Sequence, residues 1–88
     1  MSDDDLREAI LARVARLRPG TTCCPSEVAR ALAADWRPLM APLRRVALEL
    51  AAAGRIAVLQ KGSPAGREPR GPIRLALPVR GMADEKAD

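Results

Sequence analysis

The sequence has 88 residues, which suits one small domain and leaves little room for a second core or a deep substrate pocket. Its formal net charge is +4, but acids crowd both ends, so residues 6–80 carry fourteen Lys and Arg against five Asp and Glu. There is no His and no Tyr, and this segment holds no phosphate-binding glycine loop and no paired carboxylates. An enzyme is therefore the least favoured class, and we expect no catalytic residue and no cofactor.

The location follows from the same composition. No apolar run approaches the length of a membrane span, and the first residues, MSDDDLREAI, are acidic where a secretory signal is basic and then hydrophobic. We expect a cytoplasmic protein without a membrane partner, in which the two cysteines are free thiols.

Thirteen of the fifteen basic residues are Arg. A guanidinium group forms paired hydrogen bonds with phosphate, so the excess is typical of a nucleic-acid-binding surface. A genome rich in G and C also favours Arg and Ala codons, and composition alone does not separate the two explanations.

The first element is predicted to be a helix capped by Ser2, with three Asp residues in its first turn. Apolar residues then recur at helical spacing, at Leu6, Ile10, Val14 and Leu17. The helix should end before the tripeptide RPG, which supplies a turn.

The next stretch, TTCCPSEVARAL, contains both cysteines. Residues 21–23 are short and partly β-branched, so we expect them to be extended and to pair with a later strand. Cys24 then falls at the N-cap of a second helix, with Pro25 at N1 and Glu27 at N3, and this helix should stop near Ala34.

A third helix is predicted after the turn DWRPLMAP, with Asp35 available as its cap and Gly54 as its C′ residue. Pro42 is awkward inside a helix, so either the regular helix begins at Ala41 or residues 38–40 form a separate turn or a kink. The face opposite the apolar stripe carries Ala41, Arg44, Arg45 and Leu48.

After Gly54 the pattern becomes extended. RIAVLQK and IRLALPV are two short strand-like runs, and the glycines and prolines between them indicate a hairpin with a long basic tip. The domain is therefore assigned to residues 1–80, and residues 81–88 are expected to be a disordered tail.

The order of helix, extended stretch, helix, helix and hairpin predicts an α+β fold, a winged helix-turn-helix in which a three-helix bundle carries a small antiparallel β-hairpin wing. Twelve apolar residues are expected to form most of the core: Leu6, Ile10, Val14, Val28, Leu32, Leu43, Val46, Leu50, Ile56, Val58, Ile73 and Leu75.

Four phrases, CPSEVARAL, DWRPLM, GRIAVLQKG and RGPIRLAL, resemble those of a small bacterial family known as domain of unknown function 3253. The resemblance spans residues 6–77. It implies a winged-helix-like fold and brings no established activity, and Cys23 is the less motif-like member of the cysteine pair.

The cysteines allow three interpretations. Two adjacent thiols without any His make a poor metal site, and we predict no bound metal. A thiol at a helix N-terminus has the setting of a redox sensor. The favoured interpretation is structural: Cys24 caps helix two and packs against helix one.

Two functions remain open. The first is DNA binding, in which seven cations on helix three and the wing contact phosphate: Arg37, Arg44, Arg45, Lys61, Arg67, Arg70 and Arg74. The second is a protein-interaction or homodimerisation module, for which Leu48 on the outer face of helix three is the clue. Three residues have alternative roles. Arg45 is also placed to form an ion pair with Glu49, and Lys61 to form part of a tight turn. Trp36 is interpreted either as a core residue or as a base-stacking platform.

Overall fold

The computed structural model describes residues 1–66 and 69–78. The predictions for Arg67, for the end of the domain at residues 79–80 and for the tail 81–88 lie outside these ranges. Within them the chain forms an α+β fold, and its bounds are α1 Asp3–Ala15, β1 Thr22–Cys23, α2 Pro25–Leu32, α3 Met40–Ala52, β2 Ala57–Gln60, β3 Ser63–Pro64 and β4 Arg74–Ala76. The three helices and the antiparallel sheet are compatible with a winged-helix-like arrangement.

Helix α1 begins with the cap that the sequence predicts. The Ser2 hydroxyl accepts a hydrogen bond from the N–H of Asp5 at 3.2 Å, and the Asp5 carboxylate accepts one from the N–H of Ser2 at 3.0 Å. This reciprocal pair satisfies two donors that have no partner within the helix. Leu6, Ile10 and Val14 are buried, so this face of α1 contributes to the core.

The start of α3 resolves the question of Pro42. A 3-10 turn, Arg37–Leu39, precedes the helix, which begins at Met40. Pro42 therefore lies in the first turn, where its missing N–H removes no helical hydrogen bond. No side chain caps the turn or the helix, so the prediction that Asp35 caps helix three is wrong: the regular helix begins farther along the chain.

The end of α3 is fixed by Gly54, as predicted. Gly54 has φ +76°, a left-handed conformation that L side chains rarely adopt. Its N–H donates to the carbonyl of Ala51 at 3.0 Å, and the N–H of Arg55 donates to the carbonyl of Leu50 at 2.9 Å. This Schellman arrangement ends the helix and turns the chain into the sheet.

The sheet has the strand order β1-β4-β2-β3, with every pair antiparallel. Residues 21–23 were expected to pair with a later strand, and this is confirmed for Thr22 and Cys23: Cys23 lies opposite Leu75, which lies opposite Val58. These three form a buried row on the face of the sheet that packs against the helices. The adjacent row, Thr22, Ala76 and Ala57, lies on the other face.

The predicted hairpin is present between β2 and β4, and the described residues of the segment that joins them, 61–66 and 69–73, are called the wing from here on. Its first part contains β3, which the sequence did not predict. Lys61 and Gly62 have φ of 54° and 83° and make a tight two-residue turn into β3. Pro64 is tolerated because β3 is an edge strand, so one side of it makes no ladder hydrogen bonds.

The core lies between the helices and the inner face of the sheet. Eleven of the twelve predicted core residues are buried there; Leu32, the last residue of α2, packs against it from the edge and is partly exposed. The buried cluster also contains Cys23, Ala29 and Ala47, which the prediction omitted. No helix in the described ranges is long and apolar enough to cross a membrane.

Candidate nucleic-acid interface

Helix α3 was predicted to present one outer face, but its contacts divide that face in two. Ala41, Arg45 and Glu49 are exposed to solvent. Arg44 and Leu48 are half-buried because they turn toward the wing. The solvent-facing stripe of α3 is therefore short and of mixed charge.

Arg45 is held by carboxylates on two elements. Its guanidinium forms a fork with Asp3 of α1, at 2.8 and 3.0 Å, and it also contacts Glu49 one turn along α3 at 3.2 Å. The Asp3 hydrogen bond raises the pKa of Arg45 and, reciprocally, lowers the pKa of Asp3. The interpretation of Arg45 as an ion-pair partner of Glu49 is thus confirmed, and Asp3 is a partner that sequence spacing could not reveal.

Arg44 links α3 to the wing. Its guanidinium donates a hydrogen bond to the carbonyl of Pro69 at 2.5 Å, across 25 residues of sequence. This bond uses one of the five N–H donors of the guanidinium group. Because the acceptor is a neutral carbonyl, the bond does not balance the positive charge of Arg44. Arg44 therefore positions the wing while it remains a cation beside it.

Leu48 was the clue for an apolar docking surface on helix three. In the structure it is half-buried and packs against the core. Together with Ala51, Val58 and Ala65 it lines a cavity of about 240 Å³ between α3 and the wing. Leu48 thus serves mainly to pack the wing, which weakens the argument for an exposed apolar face there.

Within residues 61–66 and 69–73, the wing carries two exposed cations, Lys61 and Arg70. Lys61 lies in the tight turn after β2, which confirms its structural interpretation without removing its charge from the surface. The Gln60 side-chain amide donates to the backbone carbonyls of Arg70 and Pro72, so the returning part of the wing is tied to the end of β2. The wing is consequently anchored at several points.

Arg74 lies apart from the other candidates. It pairs with Leu59 across β2 and β4, two residues from the row that includes Ala76, so it lies on the sheet face away from the helices. Its Nε donates to the Thr22 hydroxyl at 3.0 Å. Arg74 therefore does not join a surface shared with α3.

Arg37 lies in a group that the sequence did not predict. Its guanidinium carbon is 4.8 Å from the centroid of the Trp36 ring, and that of Arg30, on α2, is 4.7 Å from the same centroid. The ring is half-buried and packs against the core, as the core interpretation of Trp36 required. The sequence does not indicate that Arg30 contacts Trp36, because this contact depends on the path of the chain between α2 and α3.

The cysteines occupy different environments. Cys23 is fully buried, and this burial raises the pKa of its thiol. Cys24 is half-buried at the N-cap of α2, where its N–H donates to the Glu27 carboxylate at 3.0 Å and its Sγ lies 3.0 Å from the Ser26 hydroxyl. Glu27 also pairs with Arg13 of α1 at 2.9 Å. The hydrogen bond from the Cys24 N–H, and to a lesser extent the contact with Arg13, lowers the pKa of Glu27.

Within residues 1–66 and 69–78, no group of three or more Cys, Asp or Glu side chains is arranged to hold a metal ion. Both cysteines are free thiols in the structure.

The fold and these surfaces define a small α+β domain with a cationic wing. Residues 3–78 match the family described as protein of unknown function (DUF3253), and the chain belongs to this family. The match includes the four sequence phrases discussed above. A search of curated proteins finds no match to the chain.

Proposed function

We propose that this protein is a non-enzymatic, nucleic-acid-binding domain that contacts a duplex through the start of α3 and through the wing. In a winged helix the third helix enters the major groove, and the wing lies over neighbouring backbone. The exposed Ala41 leaves the start of α3 free of bulk, which permits a close approach to the groove.

One observation supports the proposal most strongly: one candidate cation pairs with carboxylates, whereas the others form no ion pair among the described residues. Arg45 contacts two carboxylates. Five others form no ion pair with any carboxylate among the described residues, namely Arg37, Arg44, Lys61, Arg70 and Arg74. A cation without a counter-charge keeps its full attraction for phosphate, and the first four of these lie beside α3 or on the wing.

The test is fluorescence anisotropy with the full chain and a labelled duplex of mixed sequence, from low to physiological salt. Each neutralised phosphate contributes a slope of about −0.9 to log K against log salt, so four or five contacts give a slope near −4. We expect dissociation constants of roughly 10⁻⁴ to 10⁻⁶ M at physiological salt, because a single small module buries little surface.

Two double variants with the same charge change separate the wing from general electrostatics. Lys61→Ala with Arg70→Ala should flatten the slope by about two units, because both side chains are exposed on the wing. Arg7→Ala with Arg13→Ala removes two arginines that already pair with carboxylates, so it should change the slope much less. Absence of binding at low salt, or equal slopes for the two double variants, would show the proposal to be wrong.

A protein-docking function is the second candidate, and one feature favours it. The sheet face away from the helices forms an apolar groove of about 410 Å³, lined by residues that include Pro19, Ala57, Leu59, Leu77 and Pro78. If the duplex does not bind, this groove becomes the preferred functional surface, and a concentration-dependent mass from sedimentation would then report homodimerisation.

The proposal includes a cytoplasmic location. The two free thiols are compatible with it, because thiols persist in a reducing compartment.

A further inference from the structure

The connection between α2 and α3 brings two arginines onto one aromatic ring. Arg30 comes from the last turn of α2, Trp36 precedes the 3-10 turn, and Arg37 is the first residue of that turn. Both guanidinium carbons lie within 5 Å of the indole centroid, at 4.7 and 4.8 Å. We name these three residues the Arg–Trp–Arg cluster.

The ring gives the cluster a fixed base. Trp36 is half-buried against the core, whereas Arg30 and Arg37 are exposed. A guanidinium over an indole face is attracted by the ring quadrupole and can still present N–H donors to solvent. The two side chains are therefore already partly ordered, so less conformational entropy is lost when they bind a ligand.

The charges of the cluster are not balanced locally. Neither Arg30 nor Arg37 forms an ion pair with a carboxylate in residues 1–66 or 69–78. Because both guanidinium groups lie against one ring, the distance between their charges is at most about 10 Å. This is about the Debye length at 0.1 M salt, so the two charges repel each other. An anion between or beside them would relieve this repulsion.

We propose that the Arg–Trp–Arg cluster binds backbone phosphate of a nucleic acid at the start of α3. This inference rests on the proposed function and adds a second contact region to the wing. Guanidinium groups bind phosphate oxygens through paired N–H donors, so both arginines have the chemistry that this contact requires. A duplex would then be held by the cluster, at the start of α3, as well as by the wing.

The sequence provides a direct probe, because Trp36 is the only Trp and the chain has no Tyr. Titration of the full chain with unlabelled duplex should change the Trp36 emission, with the same midpoint as the anisotropy change of a labelled duplex. Inorganic phosphate is the second probe. We expect it to produce the emission change only at far higher concentration than the duplex, and saturation by phosphate without any response to duplex would overturn the proposal.

Single substitutions identify the donors. Arg30→Ala and Arg37→Ala should each weaken duplex binding about 3-fold to 10-fold at low salt and flatten the salt slope by about one unit. Arg16→Ala is the matched control: Arg16 is an exposed arginine at the end of α1 and is not part of the cluster. Arg30→Lys and Arg37→Lys keep the charge, so they should recover most of the slope but less of the affinity.

The outcomes separate the cluster from the proposed function. If the duplex binds but Trp36 emission does not change, and the two cluster variants behave like Arg16→Ala, the cluster has no phosphate role and the wing proposal stands. If the duplex does not bind at low salt, both proposals are wrong. Circular dichroism of each variant checks that a loss of binding is not a loss of fold, and the lysine variants serve if an alanine variant unfolds.

Discussion

Replacing Cys23 by serine should destabilise the protein more than replacing Cys24 by serine, although the two residues are adjacent. Cys23 is fully buried in the row formed with Leu75 and Val58, and no polar or charged residue is buried among the described residues. A serine hydroxyl at this position would lose its hydrogen bonds to water and would have no polar side chain buried beside it, which costs about 1–3 kcal/mol of stability. Cys24 is half-buried at an N-cap, where serine is a favoured residue, so Cys24→Ser should cost at most about 1–2 kcal/mol and keep the fold.

Thermal and urea unfolding measure this difference. For a domain of 60–100 residues, 1 kcal/mol shifts Tm by about 4–8 °C, so Cys23→Ser should lower Tm by roughly 4–24 °C. Cys23→Ala is the control, because it removes the thiol without adding a polar group and should be better tolerated than Cys23→Ser. Equal stability of Cys23→Ser and Cys24→Ser would refute the assignment of Cys23 to the core.

Thiol chemistry provides an independent check on the same assignment. A thiol reagent should modify Cys24 in the native protein and Cys23 only on unfolding, because Cys23 is buried and burial raises the pKa of its thiol. Protein purified without a chelator should contain no stoichiometric zinc. Rapid modification of both thiols, or one bound zinc per chain, would show that the pair is a chemical site.

Two further predictions concern the carboxylates. Asp3→Asn should strengthen duplex binding and steepen the salt slope by up to about one unit, because it removes one of the two carboxylates that pair with Arg45. Asp4→Asn makes the same charge change but removes a partner of Arg7, so it should have less effect, and equal effects of the two variants in anisotropy would contradict this prediction. Since the folded-state pKa values of Asp3 and Glu27 are lowered, their stabilising effect is complete above the ordinary carboxyl pKa near 4 and is lost as pH falls through the folded values. Tm should therefore fall on acidification below about pH 5, and Glu27→Gln should reduce that fall when melts are compared from pH 7 to pH 2.5.

The sequence by itself determined the elements whose causes are local. Ser2 with Asp5 starts α1, Cys24 with Pro25 starts α2, and Gly54 ends α3, because caps and left-handed positions depend on residues within one turn. Apolar periodicity likewise predicted nearly all of the core. Its omissions are small residues, Cys or Ala, whose burial depends on close approach of neighbouring elements.

The short strand β3 shows where local signals end. Ser63 and Pro64 have low strand propensity, and they pair with β2 only because the turn at Lys61 and Gly62 directs the chain back along it. The absence of a cap at Asp35 has a similar cause, since the 3-10 turn displaces the start of α3.

Only the tertiary structure decided which cations are available. Arg44 reaches the carbonyl of Pro69 across 25 residues, Arg45 reaches Asp3 across 42, and Arg74 reaches Thr22 across 52. A side chain of this length can contact any element that folding brings near, so spacing along a helix predicted the Glu49 partner of Arg45 and nothing beyond it. The sequence could therefore indicate a cationic domain, but the division of its arginines into paired, positioning and unpaired groups required the packing of α1, the wing and the sheet around α3.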